Sequence, residues 1–260
     1  MGRDALFTNT TGTSNVAVGY SALVFNTTAS NNTAVGYQAG FSNTTGTGVT
    51  YVGHLAGLGK TGNYNTAVGK NSLTAAGAGA QNTAVGYDSV QGTTSGASNS
   101  GIGFQSLYQN TTGSSNTAVG ALSGFNNTTG TFNTFVGEFS GYLHTTGVWN
   151  TCIGKNSGYA LTTGSKNTII GGYNGNQGGL DIRTASNKIV LSDGDGNPHI
   201  IHDGLRLLLG TQSSLINEST LAVNSTGNTA TFKCTASAGA GIQPLLVWNS
   251  GVTGNNGFVA

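Results

Sequence analysis

One short stretch, Asn82-Thr83-Ala84-Val85-Gly86-Tyr87, is written again and again along this chain, and no other feature limits its folding so severely. With the glycine as phase marker the series runs Gly2, Gly19, Gly36, Gly53, Gly69, Gly86, Gly103, Gly120, Gly137, Gly154 and Gly171. Each step is 17 residues except Gly53 to Gly69, which is 16. A fixed short period means a solenoid or array in which each repeat is one coil stacked on the next. The first repeat is already in phase from Gly2 to Leu6, as expected of a piece of a longer fibre or of a very direct N-terminal start.

From Gly19 to Gly171, the residue before the glycine is always Val or Ile, as at Val85, Val119 and Ile153. A β-branched residue at every coil predicts a strand, and the series reads as a buried pleated position. The place before it holds Ala17, Ala34, Ala67, Ala84 and Ala118, with Gly101 and the larger Phe135, Cys152 and Ile169 in other coils. Neighbouring strand residues point to opposite faces. Both faces are therefore apolar, and the small-residue face is expected to need a close partner surface. Three residues after the glycine comes a small residue every time, from Ala5 to Ser157, predicting close backbone approach inside a narrow coil.

Asparagine opens the strand in nine of ten coils, among them Asn82, Asn116 and Asn150, with Val49 the exception. Stacked at about 4.8 Å per coil, these side chains predict an amide ladder. The turns, such as Asn43-Thr44-Thr45-Gly46 and Asn127-Thr128-Thr129-Gly130, carry the residues that tight turns require. The same letters match the glycosylation acceptor pattern, which turn chemistry already explains. Five residues after the glycine an aromatic recurs at Phe7, Phe41, Tyr108, Phe125, Tyr142 and Tyr159. Packing favours a stacked ladder there, and Tyr108, Tyr142, Tyr159 and, further on, Trp248 are the candidate ligand-binding residues.

Near residue 173 the character of the chain changes. All nine tyrosines lie at or before Tyr173, and both prolines, Pro198 and Pro244, lie after it. The expected division is a β-solenoid over 1–172, a linker or neck over 173–186, and a C-terminal β region over 187–260. In the last, Lys188 to Leu191 and Ile200-Ile201 read as a hairpin around Ser192 to Asn197, followed by short β segments at Leu205 to Leu209, Thr220 to Val223, Ala230 to Cys234 and Leu245 to Trp248. Asp193, Asp195 and Asn197 copy the start of a calcium loop, but Pro198 stands where that loop needs Gly and Gly204 where it needs Glu. A hairpin turn is the reading, and no metal or other cofactor is called for.

Only 7% of residues are charged and the net charge is +1, so there is no basic footprint for nucleic acid. No stretch has the length of a transmembrane span, so membrane insertion is not expected. Eight acids and four histidines form no nucleophile motif, and the chain reads as non-catalytic. Cys152, in the slot of Ala34 and Ala84, reads as a small buried thiol.

The runs Asn32-Thr33-Ala34-Val35-Gly36-Tyr37-Gln38-Ala39-Gly40 and Asn82 to Tyr87 resemble the repeats of trimeric autotransporter adhesin heads, which are parallel β-rolls. More closely, the chain resembles bacteriophage tail fibre and tail spike proteins whose repeats precede an endosialidase-type intramolecular chaperone. The text Ser186-Asn187-Lys188-Ile189-Val190-Leu191-Ser192-Asp193-Gly194 and Leu207-Leu208-Leu209-Gly210-Thr211 carries that resemblance. It implies an all-β fold: a homotrimeric parallel β-solenoid of about ten coils, then a smaller β region. It also implies a place in the virion, contact with other tail proteins, and attachment to a bacterial surface glycan or outer-membrane protein without chemistry. A cellular trimeric adhesin head is the alternative. An ice-binding solenoid is a second: Thr33, Thr66, Thr83, Thr117, Thr134, Thr151 and Thr168 form one row, expected to point inward because it shares a strand face with the Val/Ile series. A polysaccharide-cleaving spike is a third, and it would need an acidic cleft.

Overall fold

The computed structural model describes residues 2–202 and the backbone of 207–209. All of them belong to one structural unit, Met1–Ser219; a second, Thr220–Ala260, lies outside the described residues. The β segments expected at Thr220 to Val223, Ala230 to Cys234 and Leu245 to Trp248, and with them Trp248, therefore lie outside them too.

The described residues are all β, with no helix. Ten three-residue strands recur at the sequence period: β1 (Val16–Val18), β2 (Thr33–Val35), β3 (Thr50–Val52), β4 (Thr66–Val68), β5 (Thr83–Val85), β6 (Ser100–Ile102), β7 (Thr117–Val119), β8 (Thr134–Val136), β9 (Thr151–Ile153) and β10 (Thr168–Ile170). Each pairs in parallel with the next, like residue on like residue: Thr66 on Thr83, Ala67 on Ala84, Val68 on Val85. The 16-residue step keeps that register, because Thr50 still meets Thr66 and Val52 meets Val68. The protein is a parallel β-solenoid, and β1 to β10 span about 45 Å at the usual strand spacing.

Between strands the backbone turns by alternating hands. The phase-marker glycine, the residue two places on and the residue four places on all have positive φ, as at Gly86 (133°), Asp88 (53°) and Val90 (50°). So does the residue just before the strand-opening asparagine, as at Gln81 (59°). The phase marker has to be glycine for a further reason. A Cβ at Gly86 would land on the carbonyl of Gly103 in the next coil.

The strands have one buried face, and it is the opposite of the one expected. In every strand from β1 to β10 the middle residue is buried and the two flanking residues are not. The Ala34, Ala84, Ala118 series fills the lumen at zero exposure. The Val/Ile series lies outside: Val18 is 47% exposed, Ile102 43% and Ile170 43%. The reason is the bore of the coil. The Ala or Ser three places after the glycine is fully buried from Ala22 to Ser157, leaving room opposite for little more than a methyl group. Where a larger lumen residue occurs, as at Tyr51 and Phe135, glycines take the facing positions.

Two amide ladders hold the coils in register. In the predicted one, Asn99 donates its backbone N–H to Asn82 Oδ1 (3.0 Å) and its Nδ2 to Asn82 Oδ1 (3.0 Å) and Gly113 O (2.8 Å). The same set recurs at Asn116, Asn133 and Asn150. The second ladder is made by the turn asparagines: Asn127 Nδ2 donates to Asn110 Oδ1 (2.9 Å) and to its own turn's Gly130 O (3.1 Å). Asn43, Asn110 and Asn127 are fully buried by this role, so their acceptor-pattern amides are not presented for glycosylation. A buried amide with its donors and acceptors used is retained at little cost and fixes a single stacking register.

Past β10 the sheet continues. Strand β13 (Ile189–Ser192) pairs in parallel with β10, Thr168 opposite Ile189, so this coil takes 21 residues. The segment read as a neck, 173–186, is taken up into the stack. It carries a small hairpin, β11 (Asn176–Gln177) and β12 (Leu180–Asp181), and buries Tyr173, Leu180 and Ile182 in the common core. The expected hairpin follows, β13 against β14 (Pro198–His202) with a bulge at Leu191/Ser192, then β15 (Leu207–Leu209) against β14. At its tip Asp193 accepts from the backbone N–H (2.8 Å) and Nδ2 (3.1 Å) of Asn197, which hold its carboxyl low, at about 2.

Candidate functional site

Ten strands put twenty side chains on one outward sheet face, two columns of ten. One column is Val16, Thr33, Thr50, Thr66, Thr83, Ser100, Thr117, Thr134, Thr151 and Thr168; the other is the Val/Ile series. None of these residues is buried, and none is charged. The threonine row therefore points outward, not inward as its company with Val and Ile suggested. The repeat residues Val85, Val119 and Ile153 sit on this face, whereas Asn82, Asn116 and Asn150 form the internal ladder. A contiguous apolar stripe of this length is uncommon on the surface of a soluble monomer.

The aromatics form ladders on other edges. Tyr108, Phe125, Tyr142 and Tyr159 stack in one continuous column, with centroids 5.1, 5.2 and 5.2 Å apart and rings within 20° of parallel. A second set follows the phase-marker glycine: Tyr20 on Tyr37 (5.4 Å), Tyr37 on His54 (5.2 Å), Tyr87 on Phe104 (5.7 Å), with the Lys70 ammonium 5.7 Å from the Tyr87 centroid. Phe132 stacks on Trp149 at 4.3 Å. The candidate ligand-binding residues Tyr108, Tyr142 and Tyr159 are thus gathered in one ladder. In its middle, Tyr142 spends both ring faces on its neighbours.

Among the buried titratable groups, Cys152, His144 and Lys60 lie inside the coil. Burial pushes the Cys152 thiol up to about 12, an inert state for a thiol. His144 takes an asparagine's place in the second ladder and is pushed down to about 4 by burial. Lys60, also in that column, is lowered to about 8 by burial and donates its Nζ to the carbonyl of Thr93, two coils on. In the coil between, the equivalent position is the exposed Ala76, so the lysine stem bridges a gap in the ladder. Both residues were findable from sequence by counting seven places from the glycine, the same count that gives Asn43, Asn110 and Asn127.

No protein-family model, curated protein or solved structure matches this chain.

Proposed function

We propose that this chain is a segment of a homotrimeric fibre of the phage tail type, which attaches to the surface of a bacterial cell without catalysis. The carrying observation is the uncharged Val/Ile stripe along the sheet from β1 to β10. Burial of such a stripe is worth about 25 cal/mol per Å², and closed association of identical copies covers it completely. The resemblance to tail fibres and trimeric adhesin heads supplies the number three. The trimer thus rests on the β-branched face, not on the alanine face, which is used up inside each coil. The aromatic ladders, on other edges, stay available for ligand. Light scattering on a size-exclusion column tests the reading: it expects a mass near three times the 26.0 kDa chain, and a single-chain mass overturns it.

One observation favours a second reading. The outward threonine row, in register with Val and Ile at regular spacing, is a flat array of hydroxyl and methyl groups of the kind that orders water into an ice-like lattice. An ice-binding solenoid needs this face bare, so the two readings exclude each other. A monomer showing thermal hysteresis selects the second.

A further inference from the structure

We infer that the C-terminal end of the Tyr108–Tyr159 ladder is a binding site for a neutral saccharide. Tyr142 covers one face of Tyr159. The next coil has no ring to cover the other, because there the chain departs from the repeat into the β11–β12 hairpin. In its place Asn156, Tyr159, Gly172, Asn174, Gln177 and Asp195 line a cleft of about 310 Å³. That volume is at the small end of ligand sites and holds about one or two sugar rings.

The chemistry of the lining is specific. Tyr159 is half-buried and offers a flat apolar wall of the sort the C–H face of a pyranose stacks against. Around it, the polar groups are held in place yet keep capacity to spare. Asn174 accepts the backbone N–H of Asn176 at its Oδ1 (2.8 Å), which leaves its Nδ2 hydrogens unused. Gln177 donates Nε2 to the Asp195 carbonyl (2.8 Å), which leaves its Oε1 as an acceptor. The Asn156 side-chain amide, the Tyr159 hydroxyl and the Asp195 carboxylate make no hydrogen bond to any other described residue. Planar amides and a carboxylate give donors and acceptors side by side, the complement of vicinal hydroxyls that both give and take a hydrogen bond. Asp195 adds a negative charge at the rim, so acidic sugars are disfavoured. Between Tyr108 and Tyr159 each ring is stacked on the next, and the cleft lies at the Tyr159 end.

The inference deepens the attachment reading by assigning it a site and a ligand class, and it is tested separately from the trimer. Calorimetric titration of the full chain with maltotriose, mannotriose, chitotriose and an α-linked disialic acid is the experiment. Saturable binding of at least one neutral trisaccharide is expected, with disialic acid binding at least tenfold more weakly. Tyr159→Ala and Asn174→Ala are each expected to weaken binding tenfold or more, while Tyr64→Ala, which removes an exposed ring outside the ladder, leaves it unchanged. If Tyr159→Ala does not fold by circular dichroism, Asn174→Ala and Asn156→Ala carry the comparison. No binding of any neutral sugar, or equal losses at Tyr64 and Tyr159, overturns the site. Native mass separates the two ideas: a trimer that binds no sugar removes only the cleft, and a monomer that binds removes only the trimer.

Discussion

His144 shows what a single residue costs inside this repeat. Asn127 Oδ1 can only accept, so the Nδ1 of His144 (3.1 Å) carries the proton. Asn150 Nδ2 donates, so Nε2 (3.1 Å) is the acceptor. The neutral ring is therefore fully partnered, and protonating Nε2 would set one N–H against another. With a folded pKa of about 4 against 6.5 in the unfolded chain, protons bind the unfolded state first as pH falls. Stability is complete above about pH 6.5 and is lost progressively toward pH 4, by about 3 kcal/mol at the acid end. His144→Asn restores the ladder's usual residue and removes this titration. Denaturant midpoints at pH 7 and pH 4.5 should converge in the variant and stay apart in the parent. Had the asparagine column been numbered through the turns, the break at 144 was legible; its direction of protonation needed the partners' positions.

At the scale of one coil, the lumen conserves volume between facing positions. Some coils set Ala against Leu or Val, as Ala67 with Leu73 and Ala84 with Val90, all fully buried. Phe135 instead fills two coils, because the positions it faces are Gly124 and Gly141, both in the left-handed region. A Cβ at Gly141 would run into the Phe135 ring. Phe135→Ala is expected to cost about 3–5 kcal/mol. Adding Gly141→Leu should return part of it, since Leu23, Leu73 and Leu107 already adopt the same positive φ. Gly141→Leu alone should be worse than neutral, and thermal melts of the three variants check the coupling. The strands themselves were legible, because a β-branched residue beside glycine at every period admits little else. Which side faced inward was not. Period-two alternation separates two sets of side chains without saying which is inside, and the β-branched preference is for a pleated surface, buried or not. The deciding quantity was the bore, already written in the small residue after every glycine. The end of the stack was the other miss: loss of phase at 172 read as a neck, when four added residues had merely lengthened one coil.

For the whole molecule, the argument turns on one face. A substitution at Val119, 36% exposed in the single chain and central in the stripe, separates folding from association. Val119→Asp meets solvent in an isolated coil, where such changes usually fall within about 0.5 kcal/mol. In a trimer closed on this face, three carboxylates would gather where apolar side chains meet, each losing its hydration without a counter-charge. The expected result is a fall in native mass from three chains to one, with the β circular dichroism spectrum kept. The parent's melting temperature should also rise with protein concentration, and the variant's should not, because only association couples stability to concentration. A variant that stays trimeric moves the interface off this face and leaves the stripe without its explanation. A parent that is already monomeric leaves the stripe bare, and then the same carboxylate should instead abolish thermal hysteresis, since a charge in the middle of the threonine and valine columns breaks the flat array that ice requires.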